Sequence, residues 1–287
     1  MQWTERRRKF RALLAGERCI YPASVFDPIS ARIAEDLGFE AGMFAGSIAS
    51  MTVLGAPDLV VLTLSEFAQQ IHRICRASSL PLMVDADHGY GNALNVMRTV
   101  EELETVGLCA MTIEDTLLPP TYGGGGKGQL ISVEEGVGKM RAALAARRDP
   151  NLVIVGRTSA IGITGLDDAI KRVCAYAAAG VDAVFLVGVQ SREQLDTVAD
   201  AVNVPILLGS AGAAVMDDAY LSSCGVRICL KGHQPFAAAV QAVYATMEAL
   251  RKGTPPRDLT GLASPELMKR VTRDQDYKKW SKEFLGD

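Results

Sequence analysis

One stretch of the sequence runs from an apolar segment directly into a group of polar residues: Pro81-Leu82-Met83-Val84-Asp85-Ala86-Asp87-His88-Gly89-Tyr90-Gly91-Asn92. Residues 80–84 are continuously apolar, which is typical of a strand buried on both faces. Asp85 and Asp87 are therefore predicted to face the cavity at the carboxyl end of that strand. Paired carboxylates in apolar surroundings need a cation or hydrogen bonds, and Mg²⁺ held by carboxylates and waters would satisfy them. In the alternative interpretation, Asp87 only caps the helix that begins near Asn92.

The alternation of an apolar strand with a helix continues on both sides of this stretch. Eight such units follow one another at a spacing of roughly 25 to 35 residues, which favours right-handed crossovers and an all-parallel sheet. Eight units without a break in the pattern predict an α/β fold, a (β/α)8 TIM-type barrel with an additional C-terminal helix. A dinucleotide-binding sheet is disfavoured because no GxGxxG motif follows the first strand. The predicted strands are Cys19–Val25, Ala41–Gly46, 80–84, Ala110–Ile113, Leu152–Val155, Ala183–Val187, Ile206–Leu208 and Val226–Leu230.

The C-terminal part of the chain differs in composition from the barrel units. We predict that residues 1–252 form the catalytic barrel and that residues 253–287 form a linker and a helical arm. Gly253–Asp258 has the composition of a linker, and Pro265–Phe284 has an amphipathic helical pattern rich in Lys and Arg. The sequence leaves open whether this helix is a solvated tail or an arm that packs on a neighbouring subunit.

Composition and charge exclude several classes of function. The chain has 287 residues, of which 48% are hydrophobic and 22% are charged, as in globular proteins. A net charge of −3 argues against nucleic-acid and anionic-membrane partners. No apolar run approaches the roughly 20 residues of a membrane span, and the basic start lacks a signal-peptide core. Six cysteines without a CxxC pair indicate a reducing compartment, so a cytoplasmic location is predicted.

Seven polar residues follow the predicted strands, whose carboxyl ends meet at one mouth of a barrel. Four acids beside an arginine, a serine and a histidine indicate an acidic metal site next to a wall that recognises an anion. An arginine at a strand end offers a planar fork for a substrate carboxylate, although it could instead pair with a neighbouring glutamate. The histidine could equally be a hydrogen-bonded strand-end residue. The seven are Ser47, Asp58, Asp85, Asp87, Glu114, Arg157 and His233.

A glycine-rich run, Gly123–Gly126, follows the fourth predicted strand. It lacks the spacing of a Walker phosphate loop and the Lys-Ser/Thr that begins the helix in that motif. We expect a mobile lid over the mouth of the barrel instead.

Three motifs carry a resemblance to a known superfamily: Asp85–Asn92, Thr112-Ile113-Glu114-Asp115 and Arg157-Thr158. Over about residues 15–250 the chain resembles the isocitrate lyase/phosphoenolpyruvate mutase superfamily. The resemblance implies a Mg²⁺-dependent barrel that acts on α-oxo or α-hydroxy carboxylates. It also implies a tetramer, as a dimer of dimers, in which a C-terminal helix is exchanged between subunits. By the same resemblance Asp85 binds the metal, Asp58, Asp87 and Glu114 hold its waters, and Ser47, Arg157 and His233 contact the substrate.

The segment after the fourth predicted strand separates the activities within that superfamily. Lyases of isocitrate-type acids carry Lys-Lys-Cys-Gly-His there and phosphonomutases carry a lysine and an asparagine. This chain has Leu117-Leu118-Pro119-Pro120-Thr121-Tyr122-Gly123, with no cysteine. The chain therefore resembles the oxaloacetate decarboxylase branch. The resemblance implies Mg²⁺-dependent decarboxylation of oxaloacetate, a 2-oxo dicarboxylate, to pyruvate and CO₂ through a metal-stabilised enolate, with Mn²⁺ as an alternative ion. The branch features are Ser24–Pro28, Gly91–Val100, Glu134–Lys139 and Gly232-His233.

Two positions depart from the pattern of the superfamily. Ser159 stands where relatives carry Asn or a larger polar residue, and Gly209–Ala213 replaces a bulkier, more polar turn. Both changes are expected to open the pocket. Four other functions therefore remain as alternatives: a 2-methylisocitrate-type carbon–carbon lyase, a phosphonomutase, a 2-oxoacid hydroxymethyltransferase, and a non-catalytic protein that binds a dicarboxylate.

Overall fold

The computed structural model describes residues 3–120, 122–123 and 128–286 of the chain. The described residues form eight parallel strands, each paired with its neighbours in chain order. The ring closes between the first and last strands, because the Ile20 amide donates to the Arg227 carbonyl at 2.9 Å and the Cys229 amide donates to the Ile20 carbonyl at 3.0 Å. The predicted TIM-type barrel is confirmed. The strands are β1 Ala23–Ser24, β2 Gly42–Phe44, β3 Leu82–Asp85, β4 Ala110–Glu114, β5 Val153–Thr158, β6 Ala183–Val187, β7 Ile206–Gly209 and β8 Val226–Cys229.

Helices connect the strands on the outside of the ring and cover their outer faces. The two faces of the sheet are thus both shielded, which explains why the strands are mostly apolar and do not alternate between apolar and polar residues. Among the described residues, no helix combines the length and the apolarity that a bilayer crossing requires. The helices are α1 Trp3–Ala15, α2 Pro28–Asp36, α3 Gly46–Ala49, α4 Leu64–Ala77, α5 Ala93–Thr105, α6 Val133–Ala146, α7 Ala160–Ile163, α8 Leu166–Ala179, α9 Arg192–Ala201, α10 Asp218–Ser223, α11 Gln234–Arg251, α12 Pro265–Thr272 and α13 Asp274–Trp280.

The helix caps decide between two interpretations of Asp87. The cap of α5 is Asn92, whose side chain accepts hydrogen bonds from the amides of Leu94 at 3.0 Å and Asn95 at 3.4 Å. Asp87 therefore does not cap that helix, and its carboxylate lies in the cavity at the carboxyl end of β3. Local hydrogen bonding thus leaves Asp87 available for chemistry.

The C-terminal segment differs from the single helix expected over Pro265–Phe284. It forms α12 and α13, separated at Arg273, whose φ of +61° lies in the left-handed region and ends α12. The Arg273 guanidinium pairs with Asp36 at 2.8 Å and with Glu35 at 3.3 Å, both in α2. The ion pairs tie this segment to the barrel of the same chain. The division of the chain at residue 252 stays a prediction.

Candidate active site

A cavity of about 960 Å³ opens at the carboxyl ends of the strands. All seven residues singled out in the sequence line it, although they come from the ends of five different strands or from the connections that follow them. The closed ring brings together side chains that are almost 190 positions apart in the chain. The seven lining residues are Ser47, Asp58, Asp85, Asp87, Glu114, Arg157 and His233.

Asp85 is the last residue of β3 and makes contacts with both of its carboxylate oxygens. Oδ1 accepts from the Thr112 hydroxyl at 2.8 Å and from the Asp87 amide at 3.3 Å. Oδ2 forms an ion pair with Nη1 of Arg157. Thr112 stands beside Asp85 because the register of β3 and β4 pairs these two residues. Two elements thus orient the Asp85 carboxylate toward the cavity.

Arg157, in β5, lies between two of the acids. Its Nη2 is 3.2 Å from Oε2 of Glu114, the residue opposite it in the β4–β5 register, and its Nη1 contacts Asp85. The guanidinium carbon lies 5.5 Å from the centre of the Phe185 ring, a cation–π contact. Burial alone would lower the pKa of Arg157, but Asp85 and Glu114 together raise it. The predicted alternative of an ion pair with Glu114 is thus present, together with a second pair to Asp85.

The other acids are crowded, and their pKa values show it. Burial, followed by the charges of Asp85 and Glu114, raises the pKa of Asp87 well above its ordinary value. Burial also raises the pKa of Glu114. The charge of Arg157 opposes this shift, and the charge of Asp85 adds to it. Partial burial and then Asp85 raise the pKa of Asp58, the most exposed of the four. One guanidinium therefore leaves the negative charge of this cavity incompletely compensated.

The excess negative charge fits a divalent cation. Oxygen donors of this kind are the ligands that Mg²⁺ prefers, and that ion commonly keeps several waters while it binds one or two carboxylates. Within the described ranges, no three acidic, histidine or cysteine side chains converge closely enough to bind one ion directly. The donor set is nevertheless compatible with the predicted cofactor.

Ser47 and His233 lie on the walls of the cavity. β2 ends at Phe44 and not at Gly46 as expected, and α3 begins at Gly46. Ser47 therefore lies in the first turn of α3. His233 immediately precedes α11, and its Nδ1 lies 2.8 Å from the Ser24 hydroxyl. Burial lowers the pKa of His233, and the charge of Asp85 opposes this effect. Both side chains can exchange hydrogen bonds with a ligand.

Three side chains support the site but were not predicted to belong to it: Ser24, Thr112 and Phe185. Thr112 and Phe185 lie beside Asp85 and Arg157 in the strand register. Ser24 is marked only by its contact with His233. Gly209 makes room for the Phe185 ring, since a Cβ at Gly209 would lie 2.8 Å from Phe185 Cζ. Ser159 and several residues of the Gly209–Ala213 turn also line the cavity. That they open the pocket stays a prediction.

The segment after β4 is held together at its base. Thr116 and Leu130 form an antiparallel bridge, and the Leu117 amide donates to the Gln129 carbonyl at 2.8 Å. Thr116 and Leu118 line the cavity, so the segment starts at its rim. The predicted lid over Gly123–Gly126 lies mostly outside the described residues.

Sequence comparison identifies relatives along the whole chain. Residues 10–251 match the protein-family model described as phosphoenolpyruvate phosphomutase. Two curated relatives, from Rhodopseudomonas palustris and Bradyrhizobium diazoefficiens, bear the name oxaloacetate decarboxylase. They are 56% and 57% identical to this chain over 286 residues, which is 100% of this chain and 99% of each relative.

Solved structures with the same fold show several activities. A phosphoenolpyruvate phosphomutase from Streptomyces platensis subsp. rosaceus has a TM-score of 0.87 and 29% identity, covering 97% of this chain and 99% of that one. A phosphonopyruvate hydrolase in complex with oxalate and Mg²⁺ has a TM-score of 0.85 and 27% identity, covering 98% and 99%. An oxaloacetate acetylhydrolase with the inhibitor 3,3-difluorooxalacetate has a TM-score of 0.85 and 26% identity, covering 98% and 97%.

Proposed function

The chain belongs to the phosphoenolpyruvate phosphomutase family and is an enzyme, and from this premise we propose that it decarboxylates oxaloacetate to pyruvate and CO₂ with a divalent metal ion. The observation that carries the proposal is the set of four carboxylates and one guanidinium around a single cavity at the strand ends. Full-length relatives at 56% identity that bear the name oxaloacetate decarboxylase support the choice of reaction.

The proposed cofactor is Mg²⁺, with Mn²⁺ as the alternative. Asp85 would bind the ion, and Asp58, Asp87 and Glu114 would hold its waters. The phosphonopyruvate hydrolase structure with oxalate and Mg²⁺ supports this assignment, because oxalate resembles the 2-oxo acid end of oxaloacetate. When bound, the ion supplies Lewis-acid polarisation of the keto group of the substrate.

The remaining residues bind and orient the dianionic substrate. Arg157 offers its guanidinium fork to the carboxylate beside the keto group, and His233 provides a hydrogen-bonding group on another wall of the cavity. Ser47 donates a hydrogen bond to the same end of the substrate, where negative charge grows in the transition state. The bond between C3 and C4 then breaks and CO₂ leaves. The electron pair of the broken C3–C4 bond passes to the keto oxygen, which gives the enolate of pyruvate. C3 then takes a proton from water or from His233.

A substrate panel tests the proposed reaction. We expect rapid release of pyruvate from oxaloacetate, loss of at least about 99% of the rate with excess EDTA, and recovery with Mg²⁺ or Mn²⁺, because metal activation contributes several kcal/mol. The panel contains C₃ to C₆ oxo- and hydroxy-acids together with 2-methylisocitrate and phosphonopyruvate. Each is assayed with and without EDTA, and pyruvate formation is followed with a coupled dehydrogenase. EDTA-resistant turnover of oxaloacetate would contradict the metal-dependent scheme.

The same panel separates the alternatives. Cleavage of 2-methylisocitrate faster than oxaloacetate would favour a carbon–carbon lyase, and conversion of phosphonopyruvate would favour a phosphonomutase. Activity that needs a folate donor would indicate a hydroxymethyltransferase, and tight oxalate binding without turnover would indicate a binding protein. The segment Leu117–Gly123 has no cysteine, so it lacks the acid/base group expected of isocitrate-type lyases.

We also propose a homotetramer, built as a dimer of dimers, because the helix that follows β8 has an uncovered apolar face. No residue of α11 is buried in the single chain. Its exposed apolar side chains recur at helical spacing, and a stripe of this kind normally packs against another surface. The stripe consists of Val240, Val243, Tyr244, Met247 and Leu250.

A charge in this stripe should disrupt the assembly. We expect Met247→Glu to lower the mass of the particle in size-exclusion chromatography with light scattering, because a buried unpaired carboxylate is costly at an interface. Ala245→Glu, on the opposite side of α11, is the matched control and should leave the mass unchanged. A wild-type particle at the 30.6 kDa of one chain would contradict the tetramer.

A cytoplasmic location completes the proposal. All six cysteines are free thiols, and four of them are buried. Free cysteines of this kind are typical of proteins in reducing compartments.

A further inference from the structure

The turn between β3 and α5 presents Asp87 to the cavity through an unusual backbone. The φ angles are +47° at Asp87, +76° at Gly89, +61° at Tyr90 and +145° at Gly91. Asp87 and Tyr90 have side chains, so the left-handed conformation is unfavourable at both. Backbone of this kind persists only where the surrounding structure holds it. The contacts of this turn therefore control where the Asp87 carboxylate points.

Three consecutive carbonyl groups of the turn accept hydrogen bonds, each from a different element. The donors come from β4, α6 and α5, so the turn is held from three sides. Two of the three donors are side chains, and one of these is charged. The bonds are Glu114 amide to Asp87 carbonyl at 2.8 Å, Lys139 Nζ to His88 carbonyl at 2.9 Å, and Thr99 hydroxyl to Gly89 carbonyl at 3.0 Å.

Lys139 is an unexpected residue at this position. It lies on the buried face of α6 and is 3% exposed, which is rare for a lysine. Among the described residues, its ammonium group has one hydrogen bond, to the His88 carbonyl, and forms no ion pair with a carboxylate. Burial lowers the pKa of Lys139, while the charges of Glu135, Glu114 and Asp115 oppose this effect. A buried ammonium with so little compensation reduces stability, so its presence calls for a functional reason.

We propose that Lys139 is a positioning residue for the acid cluster: its ammonium holds the His88 carbonyl and thereby keeps Asp87 in the left-handed conformation that directs its carboxylate into the cavity. Asp87 has little freedom to compensate for a shift of the turn, because its carboxylate oxygens lie 2.7 Å from where a Cβ of Gly46 would be. The inference rests on the part of the proposed function that assigns a divalent cation to these acids, and it is independent of the substrate.

Lys139→Met tests this role because it keeps the length of the side chain and removes the donor. We expect faster hydrogen exchange of the Gly89 and Glu114 amides in the metal-free protein, measured by mass spectrometry on peptides from the turn and from β4. We expect Mn²⁺ binding, followed by electron paramagnetic resonance, to weaken at least about tenfold, as when residues that orient metal ligands are changed. The thermal midpoint should stay the same or rise, because an apolar side chain replaces a buried charge.

Arg141→Met is the matched control, since it removes a cation from the exposed side of the same helix. It should leave exchange and Mn²⁺ binding at wild-type values. Wild-type exchange and wild-type Mn²⁺ affinity in Lys139→Met would overturn the proposal. So would weaker Mn²⁺ binding with unchanged exchange of the turn, because the effect on the metal would then not arise from the position of the turn.

If Lys139→Met fails to fold, Lys139→Gln gives the answer, since it keeps an N–H donor without the charge. Slow exchange of the turn together with Mn²⁺ affinity within about threefold of wild type supports a positioning role. Loss of Mn²⁺ binding while the turn stays protected overturns it. Hydrogen exchange and Mn²⁺ binding are both measured without turnover. A wild-type protein that fails to decarboxylate oxaloacetate would therefore contradict the proposed reaction but would not affect this test of Lys139.

Discussion

Asp85→Asn should reduce the rate of oxaloacetate decarboxylation about 1,000-fold or more. Asp85 is the acid that both Thr112 and Arg157 orient, and it is the proposed direct ligand of the metal. Loss of the bound ion would remove several kcal/mol of charge stabilisation, and about 4 kcal/mol corresponds to about 1,000-fold in rate. Asparagine has nearly the same shape, so the effect reports charge and not a cavity. The measurement is kcat at saturating Mg²⁺, with Mn²⁺ affinity determined alongside.

A matched control for this variant is Asp200→Asn, which changes an exposed acid in the last turn of α9, at the opposite end of the barrel. Its kcat and Mn²⁺ affinity should equal those of the wild type. An Asp85→Asn protein that decarboxylates at the wild-type rate would eliminate the proposed mechanism. Slow turnover with undiminished Mn²⁺ affinity would instead assign the ion to another acid of the cluster.

Arg157→Met should lower kcat/KM for oxaloacetate about 100- to 1,000-fold. Arg157 is the proposed partner of the substrate carboxylate, and losing one side of a buried charged pair typically costs about 3–5 kcal/mol. The same variant should bind Mn²⁺ at least about tenfold more tightly. Nη1 of Arg157 contacts Asp85 Oδ2 and would compete with a cation for that oxygen. Opposite effects on substrate and metal distinguish this variant from Asp85→Asn.

Arg157→Lys separates charge from geometry at this position. Lysine keeps the positive charge but loses the planar fork, so we expect kcat/KM to fall and Mn²⁺ affinity to stay close to wild type. Arg141→Met, an exposed arginine of α6, controls for the loss of a guanidinium elsewhere. An Arg157→Met protein with unchanged kcat/KM would assign Arg157 a purely structural role, as the partner of Asp85 and Glu114.

The two substitutions also separate the proposed reaction from simple binding. A protein that only senses a dicarboxylate would lose affinity in Arg157→Met, but there would be no rate to lose in Asp85→Asn. The related structures include a phosphomutase, a hydrolase and an acetylhydrolase. The shared fold therefore does not choose between reactions, and the activity must be argued from the site.

The sequence by itself determined the barrel and predicted which residues would share one cavity at its mouth. Apolar runs such as residues 80–84, together with the glycines that end the helices, are local signals, and eight repeats of them leave few topologies. Strands that end in Asp85, Glu114 and Arg157 predicted a shared mouth, since parallel strands in a barrel present their carboxyl ends on one side. All seven candidate residues line one cavity for that reason.

Only the tertiary structure decided which of these groups touch and what supports them. The contact of Arg157 with Asp85, the hydroxyl of Ser24 on His233 and the ammonium of Lys139 on the Asp87 turn join residues from 51 to 209 positions apart. Arg273 likewise pairs with Glu35 and Asp36, far away in the chain. Such pairings depend on strand register and on the closure of the ring. Local patterns specify the elements because they follow from near neighbours, whereas a contact across the barrel exists only after all eight strands are in place.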